Sequence, residues 1–222
     1  MTPPVSVPTE QQLHDRRGGR GGRGGRGVRC FGDGVPLYER YHDLEWGRPQ
    51  TGERALYEKI CLEGFQAGLA WITVLRKRAA LREVFAGFDP EVVAAMDVSR
   101  DLEPLLADAR LIRSGAKLRA CVSNARATLA LRTDGGLATL LWSQAQLPSR
   151  AYDRWTDVPA STTASAALAQ DLKRRGFTFV GPTTVYSLLQ ACGLVGDHLT
   201  GCPSRDGAEA LRAAVRRPTG TS

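Results

Sequence analysis

From Cys30 onward, apolar residues recur at intervals of three and four, and the pattern predicts a succession of helices. Residues 53–63 (ERALYEKICLE) carry Leu56, Tyr57, Ile60 and Cys61 on one face and stop at Gly64. Residues 67–85 repeat the spacing with Leu69, Ile72, Val74, Leu75, Leu81 and Phe85. Asp89-Pro90-Glu91 predicts a helix start, with an Asp cap ahead of a proline that needs no N–H in the first turn. Further helices are predicted over 99–109, over 115–131 and, after Gly135-Gly136, through LATLLWSQ. Residues 147–162, rich in Pro, Ser, Thr and Asp, predict a loop. Then come a helix over 163–175, a hairpin from Gly176 to Gly181, a helix over 182–192 opened by Pro182, and a basic helix near the C-terminus. Alternation of the strand type never extends past two or three residues, and no internal repeat is visible. The expected fold is all-α, with a tail over 1–29, one domain over 30–203 and an extension over 204–222.

At 222 residues the chain is long enough for a substantial core. Its net charge of +7 is uneven: residues 1–29 hold six arginines against two acids, leaving +3 for the rest. A basic balance favours polyanionic partners, nucleic acid first, and it also serves ordinary solubility. The stretch RRGGRGGRGGRGVR cannot bury a core and is expected to be disordered. Its guanidinium groups suit phosphates and the faces of bases. Residues 1–29 have no apolar signal segment, and no run approaches the roughly 18 apolar residues of a membrane helix. A reducing, cytoplasmic setting is expected. There, five scattered cysteines point away from a disulfide framework.

Two histidines each travel with a cysteine, as Cys30-x11-His42 and His198-x3-Cys202. Cys2His2 is the donor set of a closed, tetrahedral zinc site. Buried thiols beside hydrogen-bonded core histidines satisfy the same spacing. Tyr38, Tyr41 and Trp46 cluster near His42, and Trp71 follows Glu63 by eight residues. Flat aromatic walls stack bases, and a carboxylate among them accepts from an exocyclic amine. A surface Glu at a helix end with core aromatics would show the same letters. Lys173, Arg174 and Arg175 precede a hairpin from Gly176 through Val180 to Gly181, which opens a helix whose backbone N–H groups suit a phosphate. A plain helix connection with a solvated basic end reads equally well. Cys61, Cys121 and Cys192 fall on apolar helical faces and are expected in the core.

Taken in order, these words resemble the type I 3-methyladenine DNA glycosylases. The likeness covers about Cys30 to Cys202 and rests on YHDLEWG at 41–47, ICLEGFQAGLAWITVL at 60–75 and STTASA at 161–166. To these are added RGFTFVG at 175–181, YSLLQACGLV at 186–195 and DHLTGC at 197–202. The resemblance implies an all-helical domain of the helix-hairpin-helix glycosylase superfamily whose ends are joined by a zinc clip. Its zinc ligands fall on Cys30, His42, His198 and Cys202. Its base pocket falls on Tyr38, Tyr41, Glu63 and Trp71, with Trp46 nearby, and its hairpin on Gly176 to Gly181. Phe31-Gly32 stand where the family usually has a Trp, which leaves the lip of the pocket as a point of departure.

What the resemblance implies is a monomeric, monofunctional hydrolase acting on double-stranded DNA that contains alkylated bases. Methylation at N3 makes adenine cationic, so the glycosidic bond is already weak and strong acid catalysis is unnecessary. The nucleotide must be flipped out of the stack. Glu63 is expected to hold the base, and no lysine in the pocket words offers Schiff-base chemistry. Asp197 is expected as a partner of the ligand His198, with a place near the sugar as the other option. A non-catalytic zinc-stabilised nucleic-acid binding protein is the rival reading. A zinc deaminase would need H-x-E and P-C-x-x-C, which are missing.

Overall fold

The computed structural model describes residues 28–145, 149–216 and 218. The Arg-Gly-Gly tail, apart from its last two residues, lies outside them, and so does its expected disorder. Among the described residues every regular element is helical and none is a strand. The helices are α1 (Pro36–Leu44), α2 (Glu53–Gln66), α3 (Trp71–Val84), α4 (Pro90–Ala94), α5 (Gly115–Ala130), α6 (Gly136–Trp142), α7 (Thr163–Arg174), α8 (Pro182–Ala191) and α9 (Arg205–Ala214). A π-turn (Val98–Leu102) and short 3-10 segments link them.

Local chemistry sets four of these helix starts. The Asp89 side chain accepts from the Glu91 N–H, and Pro36, Pro90 and Pro182 stand at helix starts. Thr162 and Ser165 form a reciprocal capping box, so the word STTASA serves to start α7. The expected helix over 99–109 is instead a π-turn followed by a 3-10 segment, because Pro104 supplies no N–H to an α-ladder. Gly64 does not end α2, which runs on to Gln66. The reason for glycine there is tertiary: an added Cβ would sit 3.2 Å from that of Phe179 in the α7–α8 connection. The expected start of α3 at residue 67 moves to Trp71, leaving 67–70 as a tight turn. Helix α1, for which the apolar pattern set no boundary, presents Tyr38, Tyr41 and His42 inward at i, i+3 and i+4.

The core runs through the middle helices, with Leu56, Tyr57, Ile60, Leu118, Val185 and Leu189 fully enclosed. Cys61, Cys121 and Cys192 belong to it, as their spacing indicates. Burial pushes the Cys121 and Tyr57 pKa values up. The described part of the C-terminal extension packs on the domain. Arg212 on α9 is buried and donates to the carbonyl of Gly193 at 2.8 Å and to Ser149. Arg29, counted with the tail on composition, pairs with Asp43 at 2.8 Å.

The connection between α7 and α8 is pinned from the side by α5. Asn124 Oδ1 accepts from the Thr178 N–H at 2.8 Å, and Asn124 Nδ2 donates to the Thr178 carbonyl at 3.3 Å. Phe179 beyond it is held at a φ of 56°, which a non-glycine residue adopts only under constraint. Asn124→Ala should therefore lower unfolding stability by ~1–2 kcal/mol, the net worth of the two part-buried hydrogen bonds lost. Urea denaturation checks it: the midpoint should fall with an unchanged slope.

Candidate active site and metal cluster

Helix α1 brings Tyr38, Tyr41 and His42 to face the C-terminal part of α2 and the start of α3. Tyr41 and Trp71 lie 5.3 Å apart between ring centroids and are tilted by 50°. With Glu63, Trp46 and Tyr38 they line a cavity of about 70 Å³. All five predicted pocket residues thus meet in one place. The cavity adjoins a groove of about 800 Å³ that runs past residues 67–70 and the first turn of α8. Glu63 is buried, at 4% exposure, beside these rings. Burial, and then the Glu63 carboxylate, push the Tyr41 pKa well up, so its hydroxyl stays protonated. The Trp71 indole N–H is buried and makes no hydrogen bond within the protein.

Five lining residues were not predicted: Phe31 as a wall, Gln66, Trp155, Ser187 and Gln190. Phe31 packs edge-on to Trp46 at 5.0 Å and against Tyr38 at 5.0 Å. Phe31 therefore supplies an aromatic wall at the lip of the cavity. Trp155 sits in the predicted loop, where composition gave no hint of a site, and packs on Phe31 and Trp46.

Beneath the aromatic wall lies a charge cluster that the sequence did not suggest. Lys59 is buried, with its ammonium 4.6 Å from the Tyr41 ring centroid, and it pairs with Glu45. Arg78 bridges Glu45 and Glu58, each at 2.7 Å, and Arg82 joins Glu58 at 2.7 Å. Lys59 does not line the cavity; it supports Tyr41 from behind.

The four Cys and His residues also meet. The ligating atoms of Cys30, His42, His198 and Cys202 lie within 4.8 Å of one another, and all four residues are buried. Cys202 Sγ is 3.5 Å from His42 Nε2 and 3.4 Å from His198 Nδ1. The opposite ring nitrogens are engaged outside: His42 Nδ1 lies 2.8 Å from Asp43 Oδ1, and His198 Nε2 lies 3.3 Å from the Trp46 carbonyl. Hydrogen bonding to Cys30 pulls the Cys202 pKa down, and the same bond together with burial raises that of Cys30. Gly47 has a φ of 76°, and a Cβ there would meet His198 Nε2 at 2.7 Å. Asp197 does not touch the His198 ring, contrary to expectation. Its carboxylate accepts instead from Tyr186 and Gln190, because it points toward α8.

The basic hairpin is only partly available. Lys173 is exposed, while Arg174 pairs with Asp171 at 3.0 Å and Arg175 pairs with Asp134 at 2.9 Å. Gly176 takes a φ of 93°, the Val180 side chain is buried, and Gly181 precedes α8, whose Thr183 and Thr184 border the groove.

Residues 32–205 match the model of the family described as methyladenine glycosylase. The chain belongs to that family. DNA-3-methyladenine glycosylase 1 of Escherichia coli K12 is 49% identical over 170 residues, covering 75% of this chain and 90% of that protein. A crystal structure of a 3-methyladenine DNA glycosylase I superposes with a TM-score of 0.76 at 49% identity, over 79% of this chain and 98% of the other. The Staphylococcus aureus enzyme, solved for its recognition of 3-methyladenine, gives 0.75 at 36% identity over 79% and 95%. The match takes in His42, His198, Cys202 and the pocket residues from Tyr38 onward, begins just after Cys30 and Phe31, and stops at the first residue of α9.

The charge cluster under the pocket has a pH signature. Burial acts to raise the Glu45 pKa, but Lys59 and Arg78 outweigh it and bring it from 4.5 to about 2. A carboxylate held lower in the folded state stabilises the fold above its unfolded pKa, and loses that contribution as pH falls through the folded value. Stability should hold above pH 4.5 and decline toward pH 2. Thermal melts of wild type and Glu45→Gln should converge over that window, the variant being weaker at neutral pH.

Proposed function

We propose that this chain flips 3-methyladenine out of alkylated DNA and hydrolyses its N-glycosidic bond, leaving an abasic site for base-excision repair. The observation that carries the reading is a buried carboxylate, Glu63, inside an aromatic cavity that opens on a long groove. Tyr41 and Trp71 stack on the flipped base, and Glu63 accepts from its exocyclic amine. The groove carries the flipped strand, with Lys173 and the N–H groups at the start of α8 on its phosphates. The connection from Gly176 to Gly181 acts as the hairpin of a helix-hairpin-helix element. The Arg-Gly-Gly tail adds sequence-independent affinity for the backbone. Because the departing base takes up electrons to become neutral, orientation and stacking carry the catalysis. Lys59 is held by Glu45 away from the cavity, in keeping with a monofunctional enzyme that forms no Schiff base.

Cys30, His42, His198 and Cys202 hold one structural zinc ion. The donor set supports this, as do the S···N edges of 3.4 and 3.5 Å. A tetrahedron with zinc–ligand bonds of about 2.0–2.3 Å has S···N edges of about 3.6 Å. Engaged outer ring nitrogens are what oriented histidine ligands require. Four protein ligands close the coordination sphere, so the ion ties the start of the domain to its finish and takes no part in the chemistry. In Cys202→Ala, elemental analysis should find bound zinc lost from about one per chain, with a lower melting temperature. Wild type purified without chelator and free of metal would overturn the assignment.

Incubation with methylated duplex DNA, followed by chromatography of the released bases, tests the activity. Free 3-methyladenine should appear, with no strand cleavage. Glu63→Ala should bind free 3-methyladenine about ten- to a hundredfold more weakly, the worth of a hydrogen bond to a charged group. Glu63→Gln keeps an acceptor oxygen and should fall between the two. Tryptophan fluorescence, with Trp71 in the pocket as reporter, measures all three. Equal affinities would remove Glu63 from the site.

A further inference from the structure

A flipped nucleotide places its base in the cavity and its sugar in the groove, so the bond to be broken lies where the two spaces meet. This premise rests on the glycosylase reading above. Gln190, on the last turn of α8, borders both spaces. It is buried, and its Nε2 donates to Asp197 Oδ2 at 2.8 Å. The same carboxylate oxygen accepts from the Tyr186 hydroxyl at 2.6 Å. Burial, and then Asp197, push the Tyr186 pKa up, so that hydroxyl remains a donor. Asp197 is itself 2% exposed, and its Oδ1 accepts no hydrogen bond within the protein.

A buried carboxylate with one oxygen doubly engaged and the other unmatched is an expensive arrangement for a structural role alone. Its effect on Gln190 is definite. A carboxylate only accepts, so the amide nitrogen must face Asp197 and the amide oxygen must face away. No described residue donates to that oxygen. Gln190 therefore offers the junction an acceptor that cannot turn over.

We infer that Gln190 accepts a hydrogen bond from the water that attacks C1′ of the flipped nucleotide, and that Asp197 positions it by locking its amide. In this step the water oxygen forms the new bond to C1′. The C1′–N9 bond breaks, and its electron pair goes to the base, cancelling the positive charge that N3-methylation placed there. The surplus proton of the attacking water passes to solvent in the groove. Because the leaving base is already activated, the nucleophile needs orientation more than deprotonation, and an amide oxygen supplies that.

The test compares wild type, Gln190→Met, Asp197→Asn and the double variant in single-turnover excision from methylated duplex DNA, alongside binding of free 3-methyladenine. Gln190→Met keeps length and volume but removes the acceptor. Excision should fall about tenfold or more, while affinity for the free base stays within about twofold of wild type. Asp197→Asn can donate as well as accept, so it frees the amide to turn and should slow excision without weakening base binding. The double variant should be no more than about twofold slower than Gln190→Met alone, since one residue acts through the other. Wild-type excision rates in Gln190→Met would overturn the inference. So would a parallel loss of free-base affinity, which would make Gln190 a base contact, or additive losses in the double variant. Failure of wild type to release any 3-methyladenine would instead overturn the activity itself.

Discussion

The positions of the pocket residues depend on one constraint: two Cys–His pairs, one at each end of the domain, occupy the same few ångströms. His42 projects from α1 beside Tyr41, and His198 follows the segment that leaves α8. Holding these imidazoles together sets α1 against the end of α8, and so sets the aromatic wall against Gln190. The surroundings are built for that closeness. Gly47 has no side chain where His198 needs room, and the Trp46 carbonyl faces the same imidazole. Gly193 makes a similar close approach, since a Cβ there would lie 2.7 Å from the Pro49 nitrogen. The turn after α1 and the turn after α8 therefore touch backbone to backbone, a contact only glycine permits.

Around that cluster the pocket is walled largely by aromatic rings, with paired charges beneath. Buried ions are costly unless matched, and here Lys59, Glu45, Arg78, Glu58 and Arg82 alternate in sign. Removing Glu45 would leave the buried Lys59 ammonium without its carboxylate. The arrangement holds Tyr41 in place while keeping an ammonium out of the cavity, which suits a site whose substrate base is itself cationic.

The hairpin shows a related division of labour. Composition marks residues 173–175 as a basic patch, yet two of the three arginine and lysine side chains are spent on Asp171 and Asp134. What reaches the groove is backbone and threonine at the start of α8. Asn124 and Gly64 hold the connection from two other helices, so its geometry belongs to the packing of α2, α5 and α8 rather than to its own residues.

Much of this protein was legible in its sequence because the relevant signals are contiguous. Helix starts at Asp89, Thr162 and Pro182 rest on atoms within four residues of each other, and most of the pocket residues and of the Cys and His cluster lie within or just ahead of recognisable words. Helix α1 escaped the apolar pattern because its inward face is Tyr, Tyr and His, though their i, i+3, i+4 spacing was there to be read. The boundary at Gly64 misled because a glycine that stops a helix and a glycine that admits a neighbour look the same in one dimension. Phe31, Trp155, Lys59 and the pairing of Asp197 with Gln190 were decided only by tertiary structure. Each depends on which side of its backbone faces a segment far away in the chain, and on a single oxygen pointing toward α8 instead of toward His198. Local chemistry can name the groups a site contains, but long-range packing decides which of their atoms face one another.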